Sequence, residues 1–207
     1  MPATDTVQIY LATPHAFTLP DFAKTLANVL DNTPVACLRL GLASNDASEL
    51  GRAADQLREI CHARDVAIVI EDHYRLVKPH GLDGVHLTSG AQHIRDTRRE
   101  LGTEAIIGAY CGNSRHNGMT AGEIGADYIS FGPISDTALG DGTIAPVELF
   151  QWWSEMIEIP VVAEGNLTVE TIAAIKDHID FLTVGPEIWQ ADQGPVAALE
   201  TLVNALQ

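Results

Sequence analysis

The chain has 207 residues, with 12 Lys or Arg against 28 Asp or Glu, for a formal net charge of −16. That balance excludes nucleic acid, whose phosphates need a basic face, and an anionic membrane surface. A hydrophobic content of 46% with 19% charged residues excludes disorder and predicts a sizeable core.

Short apolar or β-branched runs recur along the chain. Strands are predicted at Val7–Ala12, Val35–Leu40, Val66–Glu71, Gly84–Leu87, Ala105–Tyr110, Tyr128–Gly132, Val161–Glu164 and Phe181–Gly185. They are mostly unbroken apolar runs, as parallel strands covered on both faces require. Between them, helical spacing predicts Leu19–Asp31, Asp46–Arg64, Ala91–Leu101, His116–Ile124, Pro146–Ile157, Thr168–Asp177 and Pro195–Leu206. Asp46–Arg64 is the clearest, with Leu50, Ala53, Ala54, Leu57, Ile60 and Cys61 on one face, and Thr168 reads as an N-cap. Eight strands alternating with about eight helices is the count of a (β/α)8 TIM barrel, expected here over residues 1–207. No GxGxxG follows the first strand, which removes the usual signature of a doubly wound open sheet.

The three cysteines, Cys37, Cys61 and Cys111, show no CxxC or Cys/His metal spacing. Neither a disulfide framework nor a zinc site is expected, and a reducing cytoplasm is the expected location. No signal peptide and no run of ~18 apolar residues is found, so neither export nor a membrane span is expected.

In such barrels chemistry gathers at the carboxyl ends of the strands. The residues falling there are Pro14–His15, Arg39, the Glu71–Asp72–His73 run, His86, the segment Gly112–Asn113–Ser114–Arg115–His116, the segment Gly132–Pro133–Ile134–Ser135–Asp136–Thr137, Glu164–Gly165–Asn166 and Gly185–Pro186–Glu187. Arg39 with Glu71 and Asp72 reads either as a functional cluster or as an internal ion network. Asp72, just past its strand, is the Mg²⁺ candidate, because adjacent carboxylates with opposite side-chain directions rarely hold one metal together. Gly165–Asn166 and Gly185 either let backbone N–H groups approach a phosphate or are simple turns. Cys37, Cys111 and the Trp152–Trp153 pair read as packing, and His86 as an interior residue with a hydrogen-bond partner.

The segments IEDHYRL…GLDGVHL, GEIGADYISFGPISDT and IPVVAEGNLTVETIAAI occur in that order. From about Val35 to Ile188 the chain resembles the thiamine-phosphate synthase and TenI superfamily, a family of small (β/α)8 barrels. The resemblance implies coupling of a hydroxymethylpyrimidine diphosphate to a thiazole phosphate, with Mg²⁺ neutralising the pyrophosphate that leaves. It implies a phosphorylated small molecule as the partner and leaves assembly into a homo-oligomer open.

Position by position, the resemblance makes Arg39 the arginine at the diphosphate and Asp72 the first Mg²⁺ aspartate. Thr137 becomes a residue of the loop after strand 6, and Gly165 the first glycine of the phosphate turn. Ser114 and His116 fall on the G-x-S-x-H pattern. Several of the family's working positions differ here. Its lysine after the arginine is Gly41, and its asparagine before the aspartate is Glu71. Its second Mg²⁺ aspartate falls near Ala91 and its loop lysine near Gly140. The second turn glycine is Asn166, and the strand-8 serine region reads Gly185–Pro186–Glu187. Arg115 is a candidate to replace one lysine, since a guanidinium suits phosphate oxygens. Two further readings follow: a TenI-like thiazole tautomerase with His116 carrying the proton, and a phosphate-ligand-binding barrel without catalysis.

Overall fold

The computed structural model describes residues 6–137 and 139–207. Eight parallel strands close into a barrel: β1 (Gln8–Ala12), β2 (Cys37–Leu40), β3 (Ala67–Glu71), β4 (Gly84–Leu87), β5 (Ile106–Tyr110), β6 (Tyr128–Phe131), β7 (Val161–Ala163) and β8 (Phe181–Val184). Each strand pairs with its sequence neighbours, and β8 returns to β1 with Gln8 opposite Phe181 and Leu11 opposite Val184. All eight predicted strands are present. β4 has the predicted bounds and the other seven are one or two residues shorter, their trimmed ends lying beyond the last ladder pair.

The helices are α1 (Leu19–Asn32), α2 (Ala47–His62), α3 (Val77–His80), α4 (Ile94–Leu101), α5 (Arg115–Glu123), α6 (Val147–Met156), α7 (Val169–Ile175), α8 (Pro186–Trp189) and α9 (Pro195–Ala205). Local chemistry starts several of them. Asp46 caps α2 by accepting from Ser48 N, and Thr168 and Thr171 form a reciprocal capping box on α7. Ser114 caps α5, so that helix begins at Arg115, one residue before the expected His116. The four-residue α3 and α8 fall below what periodicity can detect. Among the described residues, no helix is long and apolar enough to cross a membrane.

Strand alternation divides the core into two parts. Outward residues such as Ile9, Leu11, Leu38, Leu40, Ile68 and Ile70 pack against Leu26, Leu57 and Trp153 of the helices. Inward residues fill the barrel, with Tyr10, Val69, Tyr128 and Val162 as the central layer. Tyr10 and Tyr128 share a hydrogen bond of 2.7 Å, and His86 Nδ1 lies 2.9 Å from the Tyr128 hydroxyl. Burial, reinforced by the Arg39 charge, lowers the His86 pKa to about 3, so the ring is neutral. This neutral layer supports a charged layer directly above it.

Candidate active site

Above the tyrosines, at the carboxyl ends of the strands, lies a cavity of about 970 Å³. Arg39, Glu71 and Glu164 line it together with Thr137, Gly165, Asn166, Thr183, Gly185 and Glu187.

Arg39 is 7% exposed and Glu164 only 2%, so neither charge is stable there alone. Arg39 Nη2 donates to Glu164 Oε2 at 2.7 Å, and Ser130 Oγ donates to the other carboxylate oxygen of Glu164. Arg39 Nε stands 3.1 Å from Glu71 Oε1, an ion pair without the alignment of a hydrogen bond. One cation thus sits between two carboxylates, leaving the cluster with a single negative charge.

The two carboxylates differ. Burial works against the Glu164 charge, but Arg39 and the Ser130 hydroxyl outweigh it, and the pKa falls below the ordinary carboxylate value. For Glu71 burial prevails over Arg39, and Glu164 adds repulsion, so the pKa rises. Burial also opposes the Arg39 charge, but Glu164, Tyr10 and Glu71 outweigh it and raise the pKa. Neighbouring carboxyls pushed apart in this way suit one to hold a fixed charge and the other to exchange a proton at the cavity surface.

Gly41 and Gly140 both lie close against side chains of the site. A Cβ at Gly41 would stand 2.9 Å from Glu71 Oε2, so the Glu71 carboxylate occupies the room a side chain at 41 would need. The Gly41 backbone is held by Thr13 Oγ1 on its N–H and by His15 Nδ1 on its carbonyl. A Cβ at Gly140 would lie 2.6 Å from the Tyr110 hydroxyl, which is fixed by donating to Gly132 O at 2.7 Å. Side chains at 41 and 140 would thus meet the Glu71 carboxylate and the Tyr110 hydroxyl.

On the opposite wall, the turns after β7 and β8 present backbone groups. Asn166 has φ +54°, a left-handed conformation that Asn tolerates better than most residues. Its Nδ2 donates to Asp136 O, and its own carbonyl accepts from Ser135 Oγ. The Glu187 carboxylate bridges the two turns, accepting from Gly185 N at 2.9 Å and from Leu167 N at 3.1 Å. The buried Thr183 hydroxyl has no hydrogen-bond partner.

The sequence candidates divide into three groups. Arg39, Thr137, Gly165, Asn166 and Gly185 come together on the cavity. Asp72 borders a smaller neighbouring hollow of about 280 Å³ with Asn45, Tyr74 and Arg75. Its carboxylate accepts from Thr88 N at 2.8 Å and Thr88 Oγ1 at 2.5 Å. Ser114, Arg115 and His116 are not among the described residues lining either space. Ser114 Oγ accepts from Asn117 N as the α5 cap. The Arg115 guanidinium stacks 4.7 Å above the Trp152 ring and reaches Glu148 O, and His116 is exposed on the first turn of α5.

Sequence reasoning singled out neither Glu164 as the partner of Arg39 nor Glu187 as the bridge between turns. A glutamate ending the apolar run of β7 was the available signal for the first. Among the described residues no group of three or more His, Cys, Asp and Glu is arranged to hold a metal ion. A Mg²⁺ here would therefore draw on the single carboxylate of Asp72, with substrate phosphates and water completing its shell, a donor set that suits this ion.

The family model described as thiamine monophosphate synthase matches residues 9–186. The chain is 42% identical to a thiamine-phosphate synthase of Rhodospirillum centenum over 194 residues, covering 93% of this chain and 94% of that one. It is 36% identical to a thiamine-phosphate synthase of Hyphomonas neptunium, covering 98% and 97%. Among solved structures, a thiamine phosphate pyrophosphorylase from Pyrococcus furiosus superposes with a TM-score of 0.82 at 22% identity, covering 98% and 96%. A 3-hexulose-6-phosphate synthase from Salmonella typhimurium gives 0.73 at 14% identity, covering 97% and 98%. At those identities the two structures speak to the fold alone.

Proposed function

Because the chain belongs to the thiamine monophosphate synthase family, we propose that it is a thiamine-phosphate synthase working at the mouth of its barrel. In this reading a thiazole phosphate nitrogen forms a bond to the methylene carbon of hydroxymethylpyrimidine diphosphate. The carbon–oxygen bond breaks, and its electron pair leaves with pyrophosphate. The observation that carries the reading is the cavity of about 970 Å³. On it, Arg39, Thr137, Gly165, Asn166 and Gly185, brought from four strand ends, line one space.

Arg39 stays charged at the floor of the cavity, fixed by Glu164. Glu71, with its raised pKa, takes up a proton when an anionic diphosphate approaches and so reduces the repulsion the floor would exert. Asp72 would hold a Mg²⁺ jointly with substrate phosphate oxygens, and such an ion supplies charge neutralisation at the leaving pyrophosphate. The exposed position of His116, outside the cavity lining, gives no support to the tautomerase reading.

The test is an assay with both substrates and Mg²⁺, following pyrophosphate release and product formation. Product is expected from the native protein, and Asp72→Ala should lower kcat by roughly 10²-fold or more. Stabilisation by thiazole phosphate without any product would instead leave the non-catalytic binding barrel.

A further inference from the structure

The rim between β7 and β8 already contains an anion, and it belongs to the chain. Glu187 stands two residues past Gly185 and turns its carboxylate back over the strand ends. One oxygen accepts from Gly185 N at 2.9 Å and the other from Leu167 N at 3.1 Å. These are peptide donors from two separate turns, and one carboxylate satisfies both, as a phosphate with two oxygens so spaced would. Glu187 is only partly exposed and lines the main cavity, so it faces any ligand bound there. On β8, two residues before Gly185, the Thr183 hydroxyl is 4% exposed, lines the same cavity and has no hydrogen-bond partner. A buried hydroxyl left unpaired on the wall of the cavity that Glu187 also lines points to a ligand atom there.

We propose that Glu187 is a specificity-determining residue whose carboxylate competes with a ligand phosphate for the Gly185 and Leu167 N–H groups. The inference rests on the synthase reading for the identity of the ligand. A phosphate entering the corner meets donors that are already used and a negative charge in direct contact. It binds only by displacing Glu187. A ligand ending in a hydroxyl meets neither obstacle, and its hydroxyl can pair with Thr183 or with the carboxylate itself. The native protein therefore gains little affinity from the phosphate on its thiazole ligand.

The test is calorimetric binding of thiazole phosphate and of the unphosphorylated thiazole alcohol to the native protein, Glu187→Ala and Glu187→Gln. Glu187→Ala should tighten thiazole phosphate about tenfold or more while leaving the alcohol within about twofold. Glu187→Gln, which keeps the size and an acceptor oxygen but loses the charge, should fall between, and it decides the matter if Glu187→Ala does not fold. Phosphate affinity that is unchanged or weakened, equal tightening of both ligands, or no binding of either by any variant overturns the proposal. Product formation by the native protein without a phosphate-selective gain in the variants rejects this role of Glu187 and keeps the synthase reading. A selective gain in a protein that forms no product does the reverse.

Discussion

The floor and the rim of the cavity each hold carboxylates, and they stabilise them by different means. At the floor, Glu164 and Glu71 are answered by a side-chain cation, Arg39, which is itself buried. At the rim, Glu187 is answered by two peptide N–H groups. The difference decides what each carboxylate can do. Removing Glu164 leaves the buried Arg39 charge without its aligned partner, so the fold depends on it. Removing the rim carboxylate frees two backbone N–H groups at the edge of the cavity, which a ligand would take up under the role proposed for Glu187. With nine Arg and three Lys in the chain, negative charge in the cavity is offset by geometry more than by cations.

The contrast is most exposed at Glu164. Glu164→Ala leaves Arg39 with only the misaligned Glu71 and strips Ser130 of its acceptor, and urea unfolding should show a loss of about 3–5 kcal/mol. A loss under about 1 kcal/mol would remove the distinction between floor and rim. A smaller effect of opposite sign belongs to Glu71. A carboxyl whose folded pKa lies above its unfolded value adds stability below the ordinary carboxylate range, and that stability is lost as pH rises through the raised value. Glu71→Gln escapes this loss, so its stability relative to the native protein should climb between mildly acidic and neutral pH, as urea unfolding across that range would show. Smallest is Arg115→Ala. The guanidinium covers Trp152 outside both spaces, so thermal unfolding should register about 0.5–1 kcal/mol, with ligand affinity unchanged. A drop in affinity would return Arg115 to the site.

Much of the scaffold was legible because each strand is a continuous apolar run that only a doubly covered sheet accommodates. The ends of β2 and β8 could be read as site positions for the same reason, since Arg39 and Gly185 interrupt such runs. What sequence spacing could not carry was pairing across the barrel. Arg39 and Glu164 are 125 positions apart, and Tyr10 and Tyr128 are 118 apart. No local pattern links them. The segment after β5 shows the opposite difficulty. Its G-x-S-x-H spacing is clear, yet Ser114 is used as the cap of α5, and the cap orients Arg115 and His116 along the outside of the barrel. Glu187 could be placed at the strand ends, but its bridging role could not be read, because only the turn it makes brings the carboxylate back to Leu167.

The β1–β8 junction has a consequence for synthesis. Gln8 pairs with Phe181, so the first strand made must wait for the last before its outer edge is covered. Until then a nascent chain carries an open row of peptide donors and acceptors beside apolar residues, the arrangement most prone to pairing with another chain. Closure removes every such edge at once. A finished molecule can then meet a partner through its helices and loops, but not by lending a strand.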